Sequence, residues 1–366
     1  MSLIKRTPVV FAVGEDYQIA VPVTEPCVMW VRIGDECFYD ASNGILKSLT
    51  DLHWMTTPMS KLDRAKEYTV CYRRIIERKP YFSELEDITE ETYSFRPVPN
   101  ENPVAYHIAD AHGAVASPVE ACHLFEDKVR EIDFLILNGD VIDHSGDLKN
   151  FDTIYEISSL LTKGEKPVIF SRGNHDTRGI YAEKIADYTP TRDGFSYFSF
   201  RLGSIWGLVV DCAEDKLDDC EEYGHTICCH DFRRKETEYI ESVIKNAERE
   251  YLSEGVTQKL IITHTPFTRK NSPPFDIEIG TYTYWAKLIK ENIKPNLMIC
   301  GHTHKFSIDA VGSEKDSYGQ PCTVVVASQP DRSKGIFGGA GFVFAEGSTR
   351  VVFTDNEKII NDTEVK

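Results

Sequence analysis

Five short segments carry side chains that bind metal ions, and each follows an apolar run. In chain order they read Asp110-Ala111-His112, Asn138-Gly139-Asp140, Gly173-Asn174-His175-Asp176, Thr263-His264 and Gly301-His302-Thr303-His304. Imidazole suits manganese, iron or zinc, whereas Mg²⁺ and Ca²⁺ sites consist mainly of oxygen ligands. The candidate ligands are Asp110, His112, Asp140, Asn174, His264, His302 and His304. They exceed what one tetrahedral zinc takes, whereas two metal ions that share a carboxylate would use them all.

The apolar runs that precede these segments have the length and composition of buried strands. Candidate strands lie at residues 104–109, 134–137, 168–170, 208–210, 260–262 and 297–299. Helices are predicted at residues 117–130, 149–162, 235–252 and 284–292, and a capping box at residues 117–120 would open the first. Strands that alternate with helices indicate an α/β domain with mostly parallel pairing. Ligands of such open sheets lie at the carboxyl ends of the strands, where these segments fall.

The first part of the chain has a different pattern. Short alternating segments at residues 17–23, 27–33 and 67–73 are separated by turn signals, which predicts a small all-β sandwich of the immunoglobulin or fibronectin III type. Three prolines within residues 96–103 indicate a linker. We therefore expect a β-sandwich domain at residues 1–97 and a second domain at residues 98–366.

Composition excludes several classes of function. The net charge of −17 argues against a general nucleic-acid binder or a binder of anionic membranes, because phosphate neutralisation needs an excess of Lys and Arg. No apolar run is long enough to span a membrane. The first residues lack the pattern of a signal peptide, and ten cysteines without such a signal indicate reduced thiols. The sequence thus predicts a cytoplasmic protein, while a leader preceding this sequence and the oligomeric state are left open.

The five segments, in this order, resemble the motifs of the calcineurin-like metallophosphoesterases: D-x-H, GDxxD, GNHD, a lone His after an apolar strand, and GH-x-H. The resemblance covers residues 104 to 306. It implies two mixed β-sheets sandwiched between helices, so the fold class is α/β (α+β) with a small sandwich in front. That layout is similar to the one in purple acid phosphatases.

The same resemblance implies a role for each residue. Asp110, His112 and His304 would hold one metal ion, and Asn174, His264 and His302 would hold the other. Asp140 would bridge the two ions, whose identity would be manganese, iron or zinc. His175 would contact the substrate phosphate or protonate the leaving oxygen, and Asp143 would orient His175. A hydroxide that bridges the metals would attack the phosphate ester of a small phosphorylated substrate.

Two departures from the family pattern bear on the substrate. Purple acid phosphatases usually carry Tyr three residues after the bridging Asp, where this sequence has Asp143, which argues against a purple Fe(III) enzyme. Protein Ser/Thr phosphatases carry Arg where this sequence has His144, which argues against a phosphoprotein substrate. Two alternatives stay open: a phosphodiesterase rather than a monoesterase, and a non-catalytic binding protein with a vestigial phosphatase domain.

Overall fold

The first part of the chain is built mainly from strands in the computed structural model, which describes residues 2–366. Its elements are β1 (Val9–Val13), β2 (Asp16–Pro22), β3 (Cys27–Ile33), β4 (Glu36–Tyr39), β5 (Ala41–Ser42), β6 (Ile45–Leu46), β7 (Leu52–Pro58), α1 (Met59–Ala65), β8 (Glu67–Glu77), β9 (Glu84–Leu85) and β10 (Thr89–Ser94). Most carry Val, Ile, Thr or aromatic residues, which favour the extended backbone.

The remainder of the chain alternates strands with helices. Its strands are β11 (Val104–Ile108), β12 (Phe134–Asn138), β13 (Pro167–Ser171), β14 (Phe198–Leu202), β15 (Ile205–Val210), β16 (Gln258–Thr263), β17 (Leu297–Cys300), β18 (Ser307–Asp309), β19 (Thr323–Val326), β20 (Gly339–Ala345), β21 (Ser348–Thr354) and β22 (Ile359–Val365). The helices are α2 (Ala116–Lys128), α3 (Asp152–Thr162), α4 (Ile185–Tyr188), α5 (Cys229–Lys245) and α6 (Ile279–Leu288), which continues as a π-helical turn at Ile289–Ile293. Short 3₁₀ turns lie at Leu148–Phe151, His175–Thr177, Ala182–Lys184, Glu221–Tyr223 and Arg332–Lys334.

Two mixed sheets dominate the fold. The larger has nine strands in the order β22-β21-β20-β11-β12-β13-β1-β2-β7, and the smaller has six in the order β14-β15-β16-β17-β19-β18. Pairing is parallel from β11 to β1 in the first sheet and from β15 to β19 in the second. Parallel neighbours end at the same edge of a sheet, so the segments that follow β11, β12, β13, β16 and β17 lie together.

Apolar side chains form three layers around these sheets. The central core joins the inner faces of both sheets, with Ile136 and Ile169 from one and Ile262 and Ile299 from the other. A second core lies between the larger sheet and helices α2 and α3, and a third lies between the smaller sheet and helices α5 and α6. This arrangement of two mixed sheets between helices confirms the predicted fold class.

The helices begin and end close to the predicted positions, with one error in local chemistry. The first was expected to open with a capping box at Ser117, but its N-cap is Val115 and no side chain caps it. Ser117 lies inside the first turn, where it is not positioned to cap the helix. The third predicted helix is also displaced, because α5 begins at Cys229 and ends at Lys245.

The N-terminal region does not form a sheet system of its own. Strand β1 pairs in parallel with β13, so β1, β2 and β7 extend the larger sheet. A second sheet, β10-β8-β3-β4, packs over this extension through Met29, Val31 and Val70, which belong to the central core. The region before residue 97 is thus built mainly from strands, as expected, and is joined to the larger sheet through β1. The domain boundary at residue 97 stays a prediction.

Two further expectations can be compared with the described part of the chain. Across residues 2–366 no helix has both the length and the hydropathy required to cross a bilayer. All ten cysteines are free thiols, as the sequence predicted. The cytoplasmic location inferred from them stays a prediction.

Candidate metal centre

All five motif segments meet where the carboxyl ends of the parallel strands converge. Main-chain bonds join neighbouring loops: Asp110 N donates to Gly139 O at 3.1 Å, and His112 N donates to Asp140 O at 2.8 Å. In the smaller sheet, Gly301 N donates to His264 O at 2.9 Å. Three groups of possible ligands result: Asp110 with His112 and His304, Asp140 with His264 and His302, and His112 with Asp140 and His175. Asn174 joins the second of these through its contact with His302, and the assignment of ligands to two ions stays a prediction.

The two carboxylate oxygens of Asp110 differ in their hydrogen bonding. Its Oδ2 accepts from Ser328 Oγ at 2.5 Å and from His302 N at 2.9 Å. Its Oδ1 is buried without a hydrogen-bond partner, although His304 Nε2 lies 3.2 Å away and His264 Nε2 lies 3.7 Å away. A buried carboxylate oxygen is costly without a partner, and a cation between these atoms would supply one.

The second group, Asp140 with His264 and His302, also contains a buried polar atom without a hydrogen-bond partner. His264 Nδ1 donates to Asn138 O at 2.8 Å, which leaves the lone pair on Nε2. That Nε2 is buried without a hydrogen bond and lies 3.2 Å from Asp140 Oδ2. His302 Nδ1 lies 3.0 Å from Asn174 Oδ1. Nitrogen and oxygen donors thus point at one another, which is the arrangement that a metal ion requires.

The imidazoles of His112 and His304 also face each other. Their Nε2 atoms lie 3.3 Å apart, and both rings are near Asp110. Two neutral imidazole nitrogens that both present lone pairs would repel, whereas both could ligate the same cation. The residues present therefore fit two metal ions, one beside Asp110 and one beside Asn174, with Asp140 between the groups.

The pKa of His264 shows how negative the centre is. Burial would lower the pKa of this imidazole, but the carboxylates of Asp140 and Asp110 outweigh burial and raise it to about 10. For both carboxylates burial acts to raise the pKa, and the facing imidazoles more than reverse that and lower it. Ionised carboxylates that draw a proton onto a buried imidazole form a field that a bound cation would neutralise.

Backbone strain is concentrated at the candidate ligands. Five of the seven have left-handed backbone, with φ of 56° at Asp110, 46° at His112, 50° at Asp140, 68° at His302 and 52° at His304. Each such residue costs on the order of 1–3 kcal/mol and persists only where the surroundings impose it. The loops are thus held open in conformations that turn these side chains toward one another.

Two glycines make room for that crowding. A Cβ on Gly139 would lie 2.5 Å from His264 Nδ1, and its φ of +79° disfavours any other residue. A Cβ on Gly173 would lie 2.2 Å from Asp140 Oδ1. Asp176 holds the same turn, since its Oδ2 accepts from Gly173 N at 2.7 Å. Asp176 is therefore a structural residue of the GNHD segment.

His175 lies beside the candidate ligands and does not belong to the group formed by Asp110, His112 and His304. Its main-chain N donates to Asp140 Oδ1 at 2.9 Å, and its ring stacks edge-on against His112 with centroids 4.7 Å apart. Its Nδ1 lies 3.2 Å from the main-chain oxygen of Asp143, which can only accept, so Nδ1 carries a proton. The remaining nitrogen, Nε2, is the one free to face a substrate.

Asp143 contacts His175 through its carbonyl oxygen, whereas its carboxylate accepts from Arg332 Nη2 at 2.9 Å. Its role in orienting His175 stays a prediction.

Two arginines near the GNHD segment could bind a substrate anion by their position in the sequence, but both are engaged elsewhere. Arg172 forms a buried pair with Asp211 at 2.8 Å, and Arg178 pairs with Glu214 at 2.9 Å.

Residues 212–231 are rich in cysteine and acidic residues, and the segment is long enough to be a lid over the site. This segment is tied to the loop that follows the GNHD turn. Buried Glu214 accepts from Arg178, from Thr177 Oγ1 at 2.7 Å and from Tyr223 OH at 2.8 Å. The next residue, Asp215, brings Oδ2 to 4.0 Å from His302 Nε2. The segment therefore reaches the edge of the metal centre, and a lid function stays a prediction.

Sequence reasoning missed three residues of this centre. Asn138 ends β12 and joins strands of both sheets, Ser328 bonds Asp110, and Arg332 bonds Asp143. A polar residue directly before Gly139-Asp140 was a signal for Asn138, because a buried amide needs partners. Ser328 and Arg332 belong to no motif, so only the fold reveals them.

Comparisons with known proteins agree with this geometry. The family model for calcineurin-like phosphoesterases matches residues 104–306. A purple acid phosphatase from yellow lupin (Lupinus luteus) seeds shares the fold, with a TM-score of 0.64 at 12% identity over 100% of this chain and 75% of its own. No curated protein sequence matches the chain.

Weaker structural likenesses were also found. A conserved uncharacterized protein, a predicted phosphoesterase from Streptococcus pneumoniae, gives a TM-score of 0.33 at 14% identity over 72% of this chain and 97% of its own. Vacuolar Protein Sorting 29 from Cryptosporidium parvum gives 0.36 at 12% identity over 73% and 100%. These two are too distant to carry an argument.

The family match spans more than half of the chain and confirms the prediction of a metal-dependent phosphoester hydrolase. The chain belongs to the calcineurin-like phosphoesterase family.

Proposed function

We propose that this protein hydrolyses the phosphate ester of a small molecule at a site for two divalent metal ions. The observation that carries the proposal is the pair of ligand groups with Asp140 between them, in which buried Asp110 Oδ1 and His264 Nε2 have no hydrogen-bond partner. Asp110, His112 and His304 would hold one ion, and Asn174, His264 and His302 the other. The mixture of nitrogen and oxygen donors favours manganese, iron or zinc.

Ions bound there would supply Lewis-acid activation of water and of the phosphoryl group. The chain itself supplies the proton. Because Nδ1 of His175 donates to the carbonyl of Asp143, Nε2 of the imidazolium is directed to donate to the leaving oxygen. The main-chain bond from His175 N to Asp140 fixes the imidazole relative to the ligands. The net charge of −17 supports a small phosphorylated substrate over a nucleic acid.

The ligand assignment is tested by Asn174→Ala, with exposed Asn246→Ala as the matched control. We expect Asn174→Ala to weaken Mn²⁺ binding and to lower kcat/KM for p-nitrophenyl phosphate about 100-fold or more, because the second ion loses a ligand. Calorimetry and a colorimetric assay measure the two effects. Equal activity of both variants would sink the assignment, and parallel assays with bis(p-nitrophenyl) phosphate decide between a monoesterase and a diesterase.

The role of His175 is tested by His175→Asn. General acid assistance is worth about 10²–10⁴-fold, and most for a poor leaving group. We therefore expect a larger loss of kcat with phenyl phosphate than with p-nitrophenyl phosphate, while two equivalents of Mn²⁺ still bind. A loss of the same size for both esters would show that His175 does not protonate the leaving oxygen.

A further inference from the structure

A solvent-filled cavity of about 590 Å³ opens beside the metal centre and is lined by His304, Lys305, Gln329, Pro330, Asp331 and Arg332. His304 is common to this cavity and to the first ligand group. A molecule whose phosphate ester lies at the ligands could therefore extend into the cavity. The proposed function does not account for the two cationic side chains in its wall.

Arg332 lies at the rim in a hairpin that is closed by main-chain hydrogen bonds. Gln329 and Gly338 exchange main-chain bonds of 3.1 and 3.2 Å, and Asp331 and Ile336 exchange bonds of 2.8 and 3.1 Å. A Cβ on Gly338 would lie 2.5 Å from the ring of Phe306, so this hairpin packs closely on the segment after His304. The base of Arg332 is thus preorganised next to the metal centre.

The contacts of the Arg332 guanidinium are ones that a substrate anion could replace. Its Nη2 lies 2.9 Å from Asp143 Oδ1 and 3.4 Å from His112 O. Both side chains of the Arg332–Asp143 pair are about half exposed, and exposed pairs of this kind contribute little to stability. A phosphate or carboxylate offers the guanidinium a bidentate, charge-assisted contact instead.

Lys305 places a second cationic group in the cavity wall. Its ammonium forms no ion pair within residues 2–366, and its side chain is exposed. The one carboxylate in the cavity wall, Asp331, is engaged by Lys334 at 2.8 Å and by Ser333 at 2.7 Å. Counting Asp143 as well, two cations face two carboxylates, of which Asp331 is engaged elsewhere and Asp143 is half exposed. An incoming anion that displaces Asp143 from Arg332 would meet both cations.

We propose that this cavity binds a second anionic group of the substrate, a phosphate or a carboxylate, through Arg332 and Lys305. The inference rests on the proposed function, because the scissile phosphoryl group of the same molecule lies at the metal ligands. Substrates with a single charged group would leave the cavity unused.

Three esters with one carbon skeleton test this specificity: glycerol 3-phosphate, 3-phosphoglycerate and 2,3-bisphosphoglycerate. The measured quantity is the ratio of kcat/KM for each ester with further anionic groups to that for glycerol 3-phosphate, in Mn²⁺-loaded protein. 3-Phosphoglycerate adds a carboxylate, and 2,3-bisphosphoglycerate adds the same carboxylate and a second phosphate. We expect Arg332→Gln to lower the ratio about tenfold, since a charge-assisted contact is lost. Lys305→Gln should lower it less. Whether the carboxylate or the second phosphate raises the ratio identifies the preferred anion.

The control is Arg350→Gln, which removes an equally exposed arginine from an ion pair with Asp362 on the outer strands β21 and β22. It should leave the ratio unchanged. A ratio that is also unchanged in Arg332→Gln would overturn the inference.

A binding measurement separates this inference from the proposed function. Mn²⁺-loaded protein is titrated with the phosphonate analogue of 3-phosphoglycerate, which cannot be hydrolysed. We expect the Kd to rise about tenfold in Arg332→Gln and to stay constant in Arg350→Gln. Arginine-dependent binding without hydrolysis of any ester would refute the proposed function and keep the anion site. Hydrolysis with a Kd that does not respond to Arg332→Gln would refute the anion site and keep the function.

Discussion

Replacing Asn138 with Leu should affect both stability and metal binding, although Asn138 is not a candidate ligand. Its fully buried Nδ2 lies 3.1 Å from both Thr263 O and Ile299 O and 3.0 Å from His107 Nε2, so its two protons are shared among three acceptors. Burial lowers the pKa of His107 to about 4, so this imidazole is neutral and its Nε2 can accept. Leucine matches the volume but supplies no donor. With a net contribution of about 1 kcal/mol for each of the two donated protons, the free energy of unfolding should fall by roughly 2 kcal/mol.

Metal binding should also be affected, because two acceptors of these hydrogen bonds lie close in sequence to candidate ligands. Thr263 directly precedes His264, and Ile299 lies three residues before His302. Asn138 therefore joins the end of β12 to the two strands of the other sheet that present these ligands. Losing partners that orient metal ligands typically lowers affinity 10- to 100-fold. We expect a loss of that size for Mn²⁺.

Gln320→Leu is the matched control. Gln320 is a fully buried amide whose Nε2 donates to two main-chain carbonyls, Asp309 O at 2.6 Å and Cys322 O at 2.8 Å, away from the ligands. Urea unfolding should show both variants destabilised, and calorimetry should show weaker Mn²⁺ binding only in Asn138→Leu. Equal Mn²⁺ affinity in Asn138→Leu, Gln320→Leu and the parent protein would refute the claim that this amide positions the centre.

Two further changes probe the loops around the centre. Gly173→Ala should abolish activity and weaken Mn²⁺ binding, because its Cβ would press on Asp140, whereas Gly280→Ala meets open space and should change neither in the same assays. Glu214→Ala leaves the guanidinium that it binds without its main partner and should destabilise the protein by about 3–5 kcal/mol, with faster proteolysis near residues 212–231. Glu238→Ala, from an exposed i,i+4 pair, should shift urea unfolding by less than about 1 kcal/mol, and equal effects of the two Glu variants would contradict this account.

The position of the site could be predicted because its ligands lie in sequence directly after apolar strands. His264 and Asn174 are 90 residues apart along the chain, yet both follow strands whose carboxyl ends meet. Parallel pairing aligns the strand ends within each sheet, and the packing of the two sheets on the central core brings the two sets of ends together. Which side-chain atoms then contact each other depends on loop geometry, so the use of the carbonyl rather than the carboxylate of Asp143 was beyond sequence reasoning.

The pairing partners of the N-terminal strands could not be predicted from the sequence. Alternation predicted strands near residues 17–23 and 27–33 but could not name their partners. Strand β1, Val9–Val13, is apolar at every position and buried throughout, which is the pattern of a strand covered on both faces. That pattern indicated a place inside a large sheet rather than in a small sandwich. Arg332 had no comparable signal, because its neighbours Asp143 and His112 are about 200 residues away in the chain.

The parallel pairing of β1 with β13 also sets constraints on how this protein folds. Strand β13 leads into the GNHD segment, and its two neighbours are β12 on one side and β1 on the other. Strand β1 pairs with a strand more than 150 residues later in the chain, which gives the sheet a high contact order and slow closure. Until β1 docks, β13 presents an apolar, unpaired edge of the kind that other chains can join. The N-terminal region therefore acts as the cover of the catalytic sheet as well as its extension.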